Sequence, residues 1–158
     1  TNFLYWSRDG SDPEQRVPGY FDGLITYQGG RTHVYDIVKK QNDAIHAMKG
    51  VYLDYDHKAF MVKNLDEVYI NSISNDLLSE SNGEFLVGCF DKDNNTGLYV
   101  MNFSLNEQER SDAKFELSEC KYYKVWGSEG LVQMGYNDSI VISLLPSEAC
   151  FIELSDAK

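Results

Sequence analysis

The chain has 158 residues, enough for one ordinary domain or for one domain and part of a second. Its 25 acidic and 14 basic side chains give a formal net charge of −11, which disfavours nucleic acids and anionic membrane surfaces as partners. Aromatic residues make up 13% of the chain, so it carries enough apolar surface to fold. No apolar run approaches the ~20 residues that span a bilayer. We expect a soluble protein, and the sequence leaves open whether it is cytoplasmic or exported.

The first fifty residues predict a strand, a long polar loop and a helix. Residues 2–6 form a short apolar and aromatic run that is typical of a buried strand. Between Thr32 and Lys49, apolar side chains recur at intervals of three and four, which predicts an amphipathic helix. Thr32 is placed to cap the start of this helix, and Gly50 is placed to end it.

After Gly50 the apolar residues alternate, which predicts β-strands. Residues 92–97 carry a strong hairpin signal, and Asn137–Asp138 and Pro146–Ser147 are predicted turns. Strands that recur about every 8–12 residues are typical of an antiparallel sandwich or barrel. The predicted strands are residues 51–56, 58–63, 67–73, 85–91, 98–103, 114–117, 122–126, 130–136, 139–145 and 149–154.

These patterns predict a mainly β fold, an antiparallel β-sandwich with one N-terminal α-helix. Residues 1–50 form the strand-loop-helix unit and residues 51–158 form the sandwich. Three widely spaced cysteines, Cys89, Cys120 and Cys150, lie in or beside apolar runs, so we expect them to be small buried side chains. Neither they nor the scattered histidines have the spacing of a metal site, and we expect no cofactor.

Two groups of acidic residues have spacings that suit chemical sites. Asp54 and Asp56 would share one face of a strand and could act together as acid and base, although an exposed polar face is the favoured interpretation. Asp91, Asp93 and Asn95 have the spacing of a calcium loop, but the glycine and glutamate that such a loop needs are missing. A solvated hairpin tip is the better interpretation there.

Tyr5 and Trp6 end the first predicted strand just before the long loop. An aromatic side chain in that place can stack on the apolar face of a sugar ring, or it can simply complete a core. The residues alone favour the core.

A family resemblance bears on this choice. The order of the N-terminal segments resembles the end of the (β/α)8 barrel of glycoside hydrolases, in particular β-galactosidase-like members. The remainder resembles the small β-sandwich that follows such barrels. The stretches that carry the resemblance are residues 3–6, 21–25, 29–32 and the helix through Tyr35 and Asn42, and then residues 85–90, 98–102, 123–126 and 139–154.

The resemblance implies a non-catalytic chain. The two catalytic carboxylates of such barrels lie on the fourth and seventh strands, and this chain would begin at the eighth. Hydrolysis needs both carboxylates at a fixed separation. Trp6 matches the tryptophan that lines the sugar subsite, so it is the implied substrate-binding residue, with Tyr5 as its neighbour; no catalytic residue is implied.

The function that follows is a structural accessory domain of a glycoside hydrolase, with carbohydrate contact. Its expected partners are the remainder of the barrel and a carbohydrate, and a second copy of the chain stays open as a partner. Two alternatives are a free-standing carbohydrate-binding sandwich and a protein-interaction sandwich with no sugar role. The first predicts Trp6 or Trp126 on an exposed face, and the second predicts a large apolar patch.

Overall fold

The computed structural model describes residues 24–25, 29–63, 77–104 and 109–157. Within them lie one helix and seven strands, which form one antiparallel sheet in the order β1-β3-β4-β7-β5-β2, with β6 paired to β5. The described part is therefore mainly β with a single helix, as predicted. The elements are α1 His33–Tyr52, β1 Asp56–Lys63, β2 Leu78–Ser81, β3 Phe85–Lys92, β4 Asn95–Asn102, β5 Ser111–Gly127, β6 Gly130–Leu144 and β7 Ala149–Ser155.

The described residues fall into two compact units, one ending at Ile45 and the other beginning at His46. The first unit holds the start of α1, where Thr32 directly precedes the helix in the predicted N-cap position. There the Arg31 guanidinium lies 4.5 Å from the centre of the Tyr35 ring. The second unit holds the last turns of α1 and the seven described strands. A domain boundary near Gly50 stays a prediction.

The helix continues through Gly50 to Tyr52, so the prediction that Gly50 ends it is wrong. Met48 is only 1% exposed, and Val51 and Tyr52 pack beside the buried cluster that contains it. Packing of this kind outweighs the roughly 1 kcal/mol that glycine costs inside a helix. The strand predicted at residues 51–56 is accordingly the helix end and a turn.

Two long strands, β5 and β6, let the sheet curl. The first half of β5 pairs with β2 and its second half with β7, and the β5–β6 register shifts between Glu116 and Lys121. The two strands predicted within each of β5 and β6 are therefore continuous. Asn137–Asp138 was predicted as a turn, but Asn137 pairs with Lys121 inside β6, so that prediction is wrong.

The curled sheet encloses one core between its two ends. On one side of the core lie the inner residues of β3, β4 and β7. On the other side lie those of β2, of the first half of β5 and of the second half of β6. The largest fully buried members are Phe85, Val87, Leu98, Val100, Phe115, Ile140 and Ile152. The alternating inward side chains that the sequence predicts therefore lie inside one curled antiparallel sheet.

Two predicted turns are confirmed. A two-residue loop joins β3 to β4, with Asp93 at φ 54°. Between β6 and β7, Ser147 has φ 64°, and its amide donates to the Asn102 carbonyl at 2.8 Å. The side-chain amide of the buried Asn102 donates to the Leu144 carbonyl at 3.0 Å, which fixes the turn against β4.

The three cysteines are free and differ in environment. Cys150 is buried, and this burial raises the pKa of its thiol to about 12. Cys89 is half-buried, and burial raises its thiol pKa too. Cys120 is exposed, so the prediction that it is buried is wrong: it lies beside the β5 bulge, where the inward and outward alternation breaks.

No helix within the described ranges is long and apolar enough to cross a membrane.

Candidate functional site

The outer face of the sheet carries the groups of chemical interest. In the pairing of β5 with β7, Lys124 lies opposite Glu153 and Trp126 opposite Phe151. Directly paired residues share a face, so these four side chains lie on the same side. Val125 pairs with Ile152 in the core, so the four lie on the side away from it.

Part of this outer face is covered by what we call the outer aromatic cluster. Its buried members are Met48, Tyr55 and Phe151, with Val51, Tyr52, Phe90, Tyr99 and Trp126 packed against them. The Tyr55 and Phe151 rings meet edge to face, with centroids 5.2 Å apart and planes at 70°. Edge-to-face pairs contribute about 0.5–1.5 kcal/mol beyond the area they bury. The cluster thereby fixes the end of α1 and the following turn on the sheet.

Gly97 makes room for this cluster. A Cβ at this position of β4 would lie 2.4 Å from the Phe151 ring and 3.0 Å from the Tyr55 ring. Real side chains do not approach so closely, so a larger residue would displace a ring. The contact between Tyr55 and Phe151 therefore requires a glycine at position 97 of β4.

Glu153 stands at the edge of the cluster and is held by two donors. The Tyr55 hydroxyl donates to Oε1 at 3.1 Å, and the Trp126 indole N–H donates to Oε2 at 2.6 Å. Burial and the nearby Glu153 charge raise the pKa of Tyr55 above its ordinary value of 10.0. The hydroxyl therefore stays protonated and remains a donor at neutral pH. Both oxygens are fixed in position, and each keeps lone pairs for further donors.

Beyond Glu153 the outer face is open and forms what we call the tyrosine cleft. The cleft has a volume of about 440 Å³. Strands β5, β6 and β7, the tip of β4 and the turn after α1 all contribute to it. Its lining is Tyr55, Asn95, Tyr122, Tyr123, Lys124, Met134, Gly135, Tyr136, Glu153, Leu154, Ser155 and Ala157. Ligand sites commonly combine apolar walls and a few polar groups in a cleft of about this size.

One wall of the cleft is a pair of tyrosines. Tyr122 and Tyr136 lie opposite each other on β5 and β6, with ring centroids 4.6 Å apart. Tyr136 is 60% exposed, and so is Met134 beside it on the same face of β6. The ring planes are tilted by 43°, so the two rings contact each other, and the exposed surface of Tyr136 is the part available to a ligand.

The floor of the cleft carries one charge of each sign. Lys124 is exposed and has no ion-pair partner within 4 Å among the described residues. Its cross-strand neighbours are Glu153 and Met134. The ammonium group of Lys124 therefore keeps its three donors for solvent or for a bound molecule.

A second cavity, of about 480 Å³, lies beside the second half of β6. Its arginine is already bonded: Arg110 donates to the Ser143 carbonyl at 2.7 Å and lies 3.4 Å from Glu148. Glu148 in turn accepts from the Leu145 amide at 2.8 Å. These groups bind each other, so the tyrosine cleft is the better candidate for a ligand.

The residues singled out by the sequence lie elsewhere. Tyr5 and Trp6 lie outside the described residues, and their substrate-binding role stays a prediction. Asp54 precedes β1 rather than lying on it, and its carboxylate is 3.0 Å from Lys92. The structure therefore does not place Asp54 and Asp56 together on one strand as the acid–base hypothesis requires. Trp126 is half-buried and bonded to Glu153, so it is not an exposed platform.

Sequence reasoning missed Tyr122, Tyr136 and Glu153. The available signal was the alternation of large apolar residues at Met134 and Tyr136, which continues past the predicted turn at Asn137–Asp138. Because β6 was divided at that turn, the shared face of β5 and β6 could not be recognised. In the described ranges, no group of three or more side chains is placed to hold a metal ion.

Comparison with known proteins does not show which family the chain belongs to. No protein-family model matches the chain, and no curated protein matches it. Two solved glycoside hydrolases are similar in part. A GH27 β-L-arabinopyranosidase from Geobacillus stearothermophilus, solved in complex with arabinose, is 16% identical over 47% of this chain and 18% of its own, with a TM-score of 0.37. A GH30 endoxylanase from Clostridium papyrosolvens is 17% identical over 46% of this chain and 20% of its own, with a TM-score of 0.30. The matches span about a fifth of those chains.

Proposed function

We propose that the chain is a non-catalytic accessory domain of a larger glycoside-hydrolase-like protein. In this proposal the sandwich supports the barrel by holding the end of its last helix. The observation that carries the proposal is the outer aromatic cluster, which joins the last turns of α1 and the sheet in one compact unit. The sequence resemblance to a barrel end followed by a sandwich is its second support.

The cluster suits a structural joint. Met48 and Tyr52 come from the helix, Tyr55 from the turn, and Phe151 from a central strand of the sheet. The Tyr52 ring is 6.2 Å from both Phe151 and Tyr99, so its contacts reach two adjacent strands. A helix whose end packs this way cannot shift or unwind without exposing buried aromatic surface. The sandwich would thus fix the position at which a barrel helix ends.

The carboxylates of the described residues favour a non-catalytic role. Glycoside hydrolysis uses two carboxyl groups facing each other across a cleft. Among the described residues that line the tyrosine cleft, Glu153 is the one acidic residue, and both of its oxygens accept hydrogen bonds. Asp54 is exposed and paired with Lys92. Within the described part of the chain, these groups do not form the opposed pair that the reaction needs.

A hydrolysis assay tests the first half of the proposal. The 158-residue chain is incubated with a panel of nitrophenyl glycosides, and we expect no release of nitrophenol above the buffer rate. The variants Asp54→Asn, Asp56→Asn and Glu153→Gln provide the controls. Turnover by the chain that disappears in any one of these variants would contradict the proposal.

The structural half is tested in the longest polypeptide that the gene encodes. We expect Tyr52→Ala to lower its unfolding temperature and its glycosidase activity together, because the helix end loses its contacts with the sheet. Leu53→Ala is the matched control, since the neighbouring Leu53 is 66% exposed. Equal effects of the two substitutions, or a gene product without several hundred residues of alternating strands and helices before Thr1, would refute the supporting role.

A further inference from the structure

We infer that the tyrosine cleft is a binding site for a neutral saccharide. This inference goes beyond the proposed structural function: it depends on the tyrosines of β5 and β6, and it shares with that function the compact unit that holds Tyr55 and Glu153. It also differs from the sugar contact that the resemblance implies for Tyr5 and Trp6, because it assigns binding to the sandwich itself.

The first argument is the stacking surface. One face of a pyranose ring presents C–H groups with a slight positive charge, and the face of an aromatic ring is negative. Tyr122 and Tyr136 contact each other from neighbouring strands with their ring planes tilted by 43°, and Tyr136 keeps 60% of its surface exposed. Met134 extends this apolar surface along β6. A ring with a flat C–H face would cover surface that water now wets.

The second argument is the mixture of polar groups within reach of that surface. Glu153 has two fixed oxygens that accept, and Lys124 has three donors without an ion-pair partner among the described residues. Asn95 supplies an amide with both a donor and an acceptor. Sugar hydroxyls donate and accept at once, so neighbouring hydroxyls can satisfy groups of both kinds. Hydrogen bonds to charged groups of this kind are stronger than neutral ones.

The third argument is charge, which disfavours ligands with a net charge of either sign. A net charge of −11 and the Glu153 carboxylate disfavour anions. The free ammonium of Lys124 on the cleft floor disfavours cations, including the quaternary ammonium groups that aromatic cages bind. A ligand that is neutral but rich in hydroxyls avoids both repulsions. Among such ligands, a pyranoside also supplies the apolar face that the tyrosine wall needs.

Trp126 provides the readout, because its indole N–H bonds to the same carboxylate that would bind the sugar. The chain has two tryptophans, so a Trp6→Phe background makes Trp126 the single tryptophan, which is excited selectively over the tyrosines. The probes are methyl pyranosides of glucose, galactose, mannose, xylose and arabinose and their disaccharides. We expect at least one to shift Trp126 emission in a saturable manner. We expect the corresponding methyl glucuronide and the glucosamine to bind more weakly than the methyl glucoside.

Two substitutions at one position separate stacking from mere stability. Tyr136→Ala removes the exposed ring, and we expect a dissociation constant about tenfold higher, the size of one lost aromatic contact. Tyr136→Phe keeps the ring, and we expect a change of no more than about twofold. Val141→Ala, an exposed apolar residue of β6 outside the cleft, is the control for strand stability.

The inference is overturned if no member of the panel binds, if Tyr136→Ala binds as tightly as the parent chain, or if the charged sugars bind as well as the neutral one. None of these outcomes affects the supporting role, which is decided by Tyr52 and by the hydrolysis assay. Conversely, Tyr52→Ala and Leu53→Ala could have equal effects on stability and activity while the chain still binds a saccharide. That result would refute the structural proposal and support the saccharide site.

Discussion

Glu153 is the residue on which the two parts of the outer face meet. It accepts from Tyr55 and Trp126 on the side of the aromatic cluster, and it lines the tyrosine cleft on the other side. Any ligand that bonds to this carboxylate would therefore act on the groups that hold the turn after α1. The sequence alone does not single out Glu153, because it is one of 25 acidic residues and its hydrogen-bond partners are distant in the chain.

The hydrogen bond from Tyr55 gives a prediction for stability and its pH dependence. Tyr55→Phe removes the donor but keeps the ring, and we expect a loss of about 1 kcal/mol at pH 7 by urea unfolding. The folded state raises the pKa of Tyr55 above 10.0, so it holds the proton more tightly than the unfolded chain does. The stabilisation is complete below pH 10 and is lost as the pH rises above it.

The difference between the parent chain and Tyr55→Phe should accordingly shrink as the pH is raised above 10. A difference that grows with pH, or one that is absent at pH 7, would show that this hydrogen bond does not stabilise the turn. Glu153→Gln serves as a further control, because an amide can still accept from Trp126 and donate to the Tyr55 oxygen.

At the level of elements, alanine substitutions at two glycines should have opposite effects on stability. Gly97→Ala places a methyl group 2.4 Å from the Phe151 ring, and we expect a loss of roughly 1–3 kcal/mol from overpacking. Gly50→Ala places one inside a helix where, beyond the adjacent helix backbone and chain neighbours, no described atom lies within 4 Å, and we expect a gain of up to about 1 kcal/mol. Chemical unfolding of the two variants measures both. Destabilisation by Gly50→Ala would contradict the helical assignment of residue 50.

The elements also show how far the sequence could lead. The alternation from residue 85 onward predicted β3 and β7 to within one residue, because each has a clear turn at its end, whereas β4 begins at Asn95, inside the predicted loop at residues 92–97. The end of α1 was placed too early, because Gly50 is a local stop signal and the packing of Val51 and Tyr52 on the sheet is not local. Propensity is a weak guide where tertiary contacts decide.

The predicted lengths of β5 and β6 were wrong for a related reason. Asn137 and Asp138 are turn residues by propensity, yet β6 continues through them because β5 continues beside it. Since the cleft is formed where these two strands and β7 run together, an error in strand length concealed it. The fold class could be predicted, and the candidate site could not, because the site depends on register across three strands.

At the scale of the whole molecule, the end of α1 and the sheet belong to one body. The described residues from His46 onward form a single compact unit, with a core on one face of the sheet and the outer aromatic cluster on the other. Both proposals need this arrangement. The supporting role needs the helix end held by the sheet, and the saccharide site needs Tyr55 and Glu153 held at the edge of the cleft.

Native-state hydrogen exchange tests that arrangement most directly. If the helix end is part of the body, the amides of residues 50–52 should open only when β4 and β7 open, with the same free energy and the same dependence on denaturant. Tyr52→Ala should separate the two groups by making the helix end exchange sooner. Amides at residues 50–52 that exchange by local fraying in the parent chain, while β4 and β7 stay protected, would contradict the account.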